Sequence, residues 1–258
     1  MSNGSEGRYG GRAVRRMRRL LAVAGLGAAV TALPPFRPAA AVAQVGHDPS
    51  HSPFRDIATR QELTFLAGDF LGNTAKAGVG AQQATSLGIR FRTKLAGPLD
   101  LVVRGAYISS QRLVIDPTKP DSIRRSGPVH YGLIATDVGL SLTLTGSKTW
   151  HGFAPWIGLG MGVVAPTSTV TDPGGYRAAI NFTFTPSIGT SFTITRKLGL
   201  QLELRDNTMR YEWPLAYFDP HDANNVKLPP AILPLTERDK QLTHNFTLSA
   251  GLSYHFNF

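Results

Sequence analysis

The chain has 258 residues, of which 42% are hydrophobic, 17% charged and 9% aromatic, with 27 Gly, 18 Pro and no Cys. The charged share lies well below the roughly 25% of an ordinary soluble domain, and the missing Cys excludes a disulfide scaffold, a thiolate metal site and a thiol nucleophile. A formal net charge of +10 would suit nucleic acid, but residues 1–43 hold seven Arg against Glu6 alone, and residues 44–258 carry 20 basic and 16 acidic side chains. The folded part therefore lacks the basic excess of a nucleic-acid binder.

Arg15, Arg16, Arg18 and Arg19 precede the uncharged run Leu20–Leu33, and Ala41-Val42-Ala43 follows. The run is shorter than the about 20 residues a helix needs to span a bilayer core. A basic start, a short apolar core and a small-residue site describe a secretory signal, so residues 1–43 read as a signal peptide. Residues 44–60, rich in Pro, Ser and polar side chains, read as a periplasmic N-terminal linker. His47 and His51 fall in it without a third ligand, so they predict no metal site.

Residues 61–258 alternate with period two, which predicts strands with unlike faces. The first segment, about 61–71, puts Leu63, Phe65 and Leu71 on one face, interrupted by Asp69. In the second, Leu87, Ile89 and Phe91 oppose Ser86, Gly88, Arg90 and Arg92. The third runs near 98–112, the fourth near 131–146 and the fifth near 152–165, where Phe153, Ile157, Leu159 and Met161 oppose Gly158, Gly160 and Gly162. In the sixth, Ile180, Phe182, Phe184, Ile188 and Phe192 oppose Asn181, Thr183, Thr185, Ser187 and Ser191. Pro186 interrupts it and calls for a bulge. In the seventh, Leu198, Leu200, Leu202 and Leu204 oppose Gly199, Gln201, Glu203 and Arg205. The eighth sets Phe246, Leu248, Leu252, Tyr254, Phe256 and Phe258 against Thr247, Ser249, Ser253 and His255.

Eight such segments, joined alternately by short and long links, predict an all-β fold: an eight-stranded antiparallel up-and-down transmembrane β-barrel. A soluble lipocalin-like carrier alternates too, but it turns its apolar face inward and needs Lys and Glu outside. Here the polar face is mostly Gly, Ser, Thr and Asn, which suits the crowded lumen of a narrow barrel. Aromatic residues gather near segment ends: Trp150, Phe153 and Trp156; Tyr211, Trp213, Tyr217 and Phe218; and the C-terminal rings. Girdles of rings are expected where a barrel meets the two interfaces. Arg90, Arg104, Glu203 and Arg205 fall on the inner face at similar heights and predict a lumen salt-bridge network.

The terminal run Leu252-Ser253-Tyr254-His255-Phe256-Asn257-Phe258 resembles the C-terminal signal of Gram-negative outer-membrane barrels. With the signal peptide and eight segments, the chain resembles the small outer-membrane barrel families, such as the transmembrane domain of OmpA, OmpX and OmpW. That resemblance implies a monomer in the cell outer membrane, recognised by the barrel-assembly machinery through Tyr254, Phe256 and Phe258. It also implies contact with outer-membrane lipid and lipopolysaccharide, no cofactor, and a structural or surface-interaction role. Trp213, Tyr217 and Phe218, in the long last loop, are the candidate interaction residues, because exposed apolar segments often mark such sites; the equal alternative is that the same apolar segment packs over the barrel mouth. The alternative is a lipid-modifying enzyme resembling lipid A acyltransferases or deacylases. It would draw on His130, His244, Ser126, Asp137 and Glu237, which form no dense motif.

Overall fold

The structure, a computed structural model, describes residues 52–57, 59–168 and 171–257. The segment read as a signal peptide, His47, His51 and Phe258 lie outside the described residues.

Eight long strands form the barrel: β1 Gln61–Leu71, β2 Ala84–Ala96, β3 Leu99–Ile115, β4 Arg125–Thr143, β5 Phe153–Pro166, β6 Asn181–Thr193, β7 Leu198–Asp206 and β8 Phe246–Phe256. Each pairs antiparallel with the next in the chain. Strand β8 then pairs with β1, from Phe246–Leu71 to Phe256–Gln61, and closes the ring. Closure leaves no barrel strand with an unpaired edge, the condition for placing backbone in hydrocarbon.

The period-two pattern decides which face is which. Phe65, Leu87, Val138, Leu159, Phe182, Leu202 and Leu252 point outward and are exposed, while Thr64, Ser141, Thr185, Gln201 and Ser253 point inward and are buried. This orientation is the reverse of a lipocalin's, and an exterior of Leu, Ile, Val and Phe rows is a surface for lipid. The interruption at Asp69 also finds its place. Asp69 pairs with Thr85, and Thr85 with Ser109, all three exposed on the outer face. They form a polar step near the long-loop end, above the apolar rows.

The turns explain the barrel's two unlike ends. The link between β2 and β3 is only Gly97-Pro98, where Gly97 takes φ +52°, which a side chain would strain. Residues 144–152 and 194–197 make the other short links. Strands β3 and β4 run farther beyond the apolar rows than their pattern suggested, leaving a loop of only 116–124 between them. The last loop, 207–245, carries its own antiparallel pair, Met209–Glu212 with Lys240–Thr243.

Pro186 needs no bulge. It pairs in register with Leu159 on one side. On the other, the β6–β7 ladder stops at Ser187–Arg205, one residue before it. Its missing N–H therefore costs no ladder bond.

The stretch read as linker is in part structured. Phe54–Asp56 pairs with Lys148–Trp150 in the β4–β5 turn. The Ile57 N–H donates to the Ser147 carbonyl, while the Arg60 N–H reaches the Asn257 side chain beside β8. Strand β1 and the β4–β5 turn lie on opposite sides of an eight-strand ring, so this segment crosses the short-turn mouth. Backbone groups left over in the turn supply its partners, a signal that side-chain alternation does not carry.

Trp156 does not belong to an interfacial girdle. It shares the phase of Ala154 and Gly158, so it fills the lumen and is fully buried. Gly189 makes the room: a Cβ there would lie 2.5 Å from the Trp156 ring and 2.4 Å from the Leu202 carbonyl oxygen. Gly189→Val is expected to push the indole aside and cost about 1–3 kcal/mol, the range for overpacking a dense core. The check is urea unfolding together with loss of the near-ultraviolet circular dichroism of the fixed ring.

Candidate functional site

The lumen has two storeys. The lower, toward the short turns, is ionic. Glu203 on β7 is wholly buried. Its carboxylate accepts from Arg205 Nε at 2.7 Å and from the Gln201 amide at 3.0 Å, with Arg90 Nε at 3.8 Å and Arg104 Nε at 3.9 Å. Arg205 also donates to Asp137 Oδ1 at 2.8 Å. Of the four residues expected to meet, Arg90, Arg104 and Arg205 therefore surround the carboxylate of the fourth, Glu203.

The cluster extends beyond them. Arg90 lies 3.6 Å from Glu62, Arg92 bridges Glu62 and Asp100, and His255 Nε2 lies 3.7 Å from Glu62. Four guanidinium groups thus face Glu62, Asp100, Asp137 and Glu203, an even balance of formal charge. That balance matters because a single buried charge carries a desolvation cost of several kcal/mol. Arg90 also stacks over Trp156, 4.5 Å from the ring centre. The gap beside Arg90, Asp137, Trp156 and Arg205 has a volume of about 10 Å³, room for about one water molecule. Glu62 was not singled out by sequence, although its phase with Thr64 would have placed it inside.

The upper storey is apolar, and sequence reasoning anticipated only the last loop's share in it, as one of two readings. Phe70, Ile108, Leu133, Ala135 and Val164 point inward at the long-loop ends of their strands and pack against Ala77, Val79 and Ala81 from the β1–β2 loop. Trp213, Tyr217 and Leu233 of the last loop and Tyr176 of the β5–β6 loop complete this core. The rings stack: Tyr211 on Trp213 at 5.7 Å, Trp213 near Tyr217 at 6.3 Å, and Tyr176 near Trp213 at 6.0 Å between centres. Burial pushes the phenol of Tyr217 above its usual range.

The expectation that Trp213, Tyr217 and Phe218 offer an interaction surface is therefore corrected in favour of its alternative, packing over the barrel mouth. Trp213 is 6% exposed, Tyr217 is fully buried, and Phe218 packs partly against the same core. A large apolar loop beside a narrow barrel has a mouth to cover, and burying its rings there removes them from water. The exposed side of this loop is carried by Leu215 and Leu235.

Polar ties hold the cap to the strands. Arg112 on β3 grips Asp172 of the β5–β6 loop with both terminal nitrogens, at 2.7 and 2.6 Å, and lies over Tyr131 and Tyr176. Buried Arg124 donates to the Pro230 carbonyl at 2.7 Å, joining the β3–β4 loop to the last.

At the other end, Tyr254 and Phe256 stack at 6.0 Å, with Phe91 6.4 Å from Phe256. Phe153 and Phe192 meet at 4.7 Å on the same rim. These rings, with exposed Trp150, are placed as a girdle would be.

The residues considered for an enzyme are dispersed among separate partners. His244 binds Asp206 at 2.5 Å, His130 Nε2 lies 3.5 Å from the Tyr107 hydroxyl, Asp137 faces Arg205 in the lumen, and Glu237 binds Lys76 at 2.6 Å. Ser126 sits in the β3–β4 ladder opposite Val114.

No protein-family profile matches the chain, and no curated protein does. Among solved structures the chain is similar to Neisserial surface protein A, at 14% identity over 80% of this chain and 98% of that one, with a TM-score of 0.46. It is also similar to the outer membrane protein OprG from Pseudomonas aeruginosa, at 12% identity over 80% and 100% of the two chains, TM-score 0.45. The N-terminal β-barrel domain of OprF from the same organism shares 10% identity over 77% and 98%, TM-score 0.42.

Proposed function

We propose that the chain is a monomeric outer-membrane barrel that passes no solute and acts at the cell surface through a rigid loop cap. The observation that carries this reading is the double closure of the lumen. Paired charges fill the lower storey and an aromatic core fills the upper. A barrel of eight strands has just enough interior for side chains, so filling it removes the path. The ring closed by β8 and β1 leaves no sheet edge for a second copy, which supports a monomer. The Leu and Phe rows, the terminal rings Tyr254 and Phe256 and the basic-apolar start of the chain all favour export to and insertion in the outer membrane. With its interior occupied, the part left to meet a partner is the long-loop face.

Two measurements test this. Liposomes holding the refolded protein are expected to swell in small sugars no faster than empty ones. Because the chain has no Cys, single substitutions can be labelled cleanly. On intact cells an impermeant maleimide should label Leu215→Cys, 84% exposed in the last loop, and leave Lys197→Cys in the β6–β7 turn unlabelled. Rapid swelling, or labelling at 197 alone, would contradict the proposal.

A further inference from the structure

Outside the barrel axis, one cavity opens at the long-loop end. It has a volume of about 380 Å³ and lies between the β1–β2 loop and the returning arm of the last loop, 236–242. That size falls within the range of small-molecule sites. Its lining is mixed. Lys76, Arg238 and Lys240 supply positive charge, Glu237 one carboxylate, and Thr236 and Gln241 neutral hydrogen-bonding groups. Leu242 and the small exposed edge of Trp213 provide an apolar strip, with buried Leu233 behind them. Trp213 is fixed from both sides by Tyr211 and Tyr217, so this wall is rigid.

The charges are not balanced within the cavity. Lys76 is held by Glu237 at 2.6 Å, and Lys240 by Glu212 at 3.3 Å. Arg238 is exposed and makes no ion pair among the described residues. The Lys76–Glu237 pair is itself well exposed, so it is weakly held and exchangeable. An incoming anion can take Arg238 and compete with Glu237 for Lys76. The volume exceeds what a bare phosphate fills, and the lining pairs hydroxyl-binding groups with an apolar strip.

We propose that this cavity binds an acidic saccharide: a sugar ring bearing a carboxylate or phosphate, its anion on Arg238 and Lys76 and its ring against Leu242 and the edge of Trp213. The inference rests on the surface-acting reading above and gives that surface a ligand class. The chemistry has two sources, since the cavity's rim residues Arg238, Lys240 and Leu242 are all exposed at the long-loop end. One source is the phosphorylated sugar of lipopolysaccharide in the same leaflet, and the other is a glycan in solution.

The test uses the full mature barrel in phospholipid nanodiscs and follows the Trp213 indole N–H resonance, identified by its loss in Trp213→Phe. Glucuronate and glucose 6-phosphate are expected to shift it saturably, and glucose is not. Arg238→Ala, at an exposed position that the fold does not use, should weaken the response about tenfold, the size of one charge-assisted hydrogen bond. A second set of nanodiscs containing lipopolysaccharide assigns the source: a shift there places the ligand in the membrane, and a shift with free acidic sugars alone places it in solution. No shift with any probe, an equal response to glucose, or an unchanged response in Arg238→Ala would overturn the proposal. Liposomes that stay closed to solute alongside such a failure would leave the sealed-barrel reading standing and remove only the saccharide.

Discussion

Replacing Glu203 with Ala is expected to destabilise the folded barrel by about 3–5 kcal/mol, the cost of removing one partner from a buried ionic cluster. Glu203 is the common neighbour of Arg90, Arg104 and Arg205, all three buried, with Asp137 as the nearest other carboxylate to Arg205. Truncation leaves three guanidinium groups around an empty position in a lumen with almost no water. The same change also removes the acceptor of the Gln201 amide. Glu203→Gln keeps the shape and one acceptor, so its loss should be smaller. The double change Glu203→Met with Arg205→Met should recover part of the stability, because a matched pair of charges is exchanged for packing. Urea unfolding of the refolded protein in lipid vesicles, followed by tryptophan fluorescence, gives these differences. A loss in Glu203→Ala below about 1 kcal/mol, typical of an exposed pair, would show that water reaches the cluster and that the lumen is not sealed.

Leu202→Arg should be nearly as damaging for the opposite reason. Leu202 stands at the centre of β7, half exposed on the outer surface between Leu200 and Leu204. An Arg on the lipid face at mid-membrane costs about 2–4 kcal/mol. Its neighbour Gln201 points inward and already binds Arg90, Glu203 and Thr64. Leu202→Met, which keeps volume and polarity, should cost less than about 1.5 kcal/mol. Unfolding in vesicles, together with the fraction that refolds to the compact, heat-sensitive gel form, separates the two variants. Equal tolerance of Arg and Met at 202 would mean that this row does not face hydrocarbon.

The barrel wall was legible because one physical rule wrote it. Period-two alternation marks strands, and the choice of Gly, Ser and Thr for one face tells inside from outside. Arg90, Arg104, Glu203 and Arg205 could be placed together from phase and height alone. What escaped was written in other terms. The apolar storey comes from inner-face residues such as Phe70, Ile108, Leu133 and Val164, which break the small-polar rule together near the long-loop ends. That switch, read strand by strand, would have announced a core at the mouth. Trp156 was misplaced because nearness to a turn was weighed above phase. For Trp213 and Tyr217 the sequence leaves an exposed surface and a cover over the mouth equally open, because a loop sequence does not state whether its rings face water or the barrel. The crossing segment at Phe54–Asp56 depends on backbone hydrogen bonds to the β4–β5 turn, which no side-chain pattern encodes.

The most direct test of the central claim asks which side chains touch lipid. Nuclear Overhauser contacts from lipid acyl methylenes can be recorded in nanodiscs without altering the chain. The methyl groups of Leu200, Leu202, Leu204, Leu248 and Leu252 should show strong contacts with the acyl chains, and those of Thr64, Thr183, Thr185 and Thr247 none. Acyl contacts at the threonine methyls, with the leucine rows silent, would contradict the inside-out order on which the sealed lumen and the membrane location both depend.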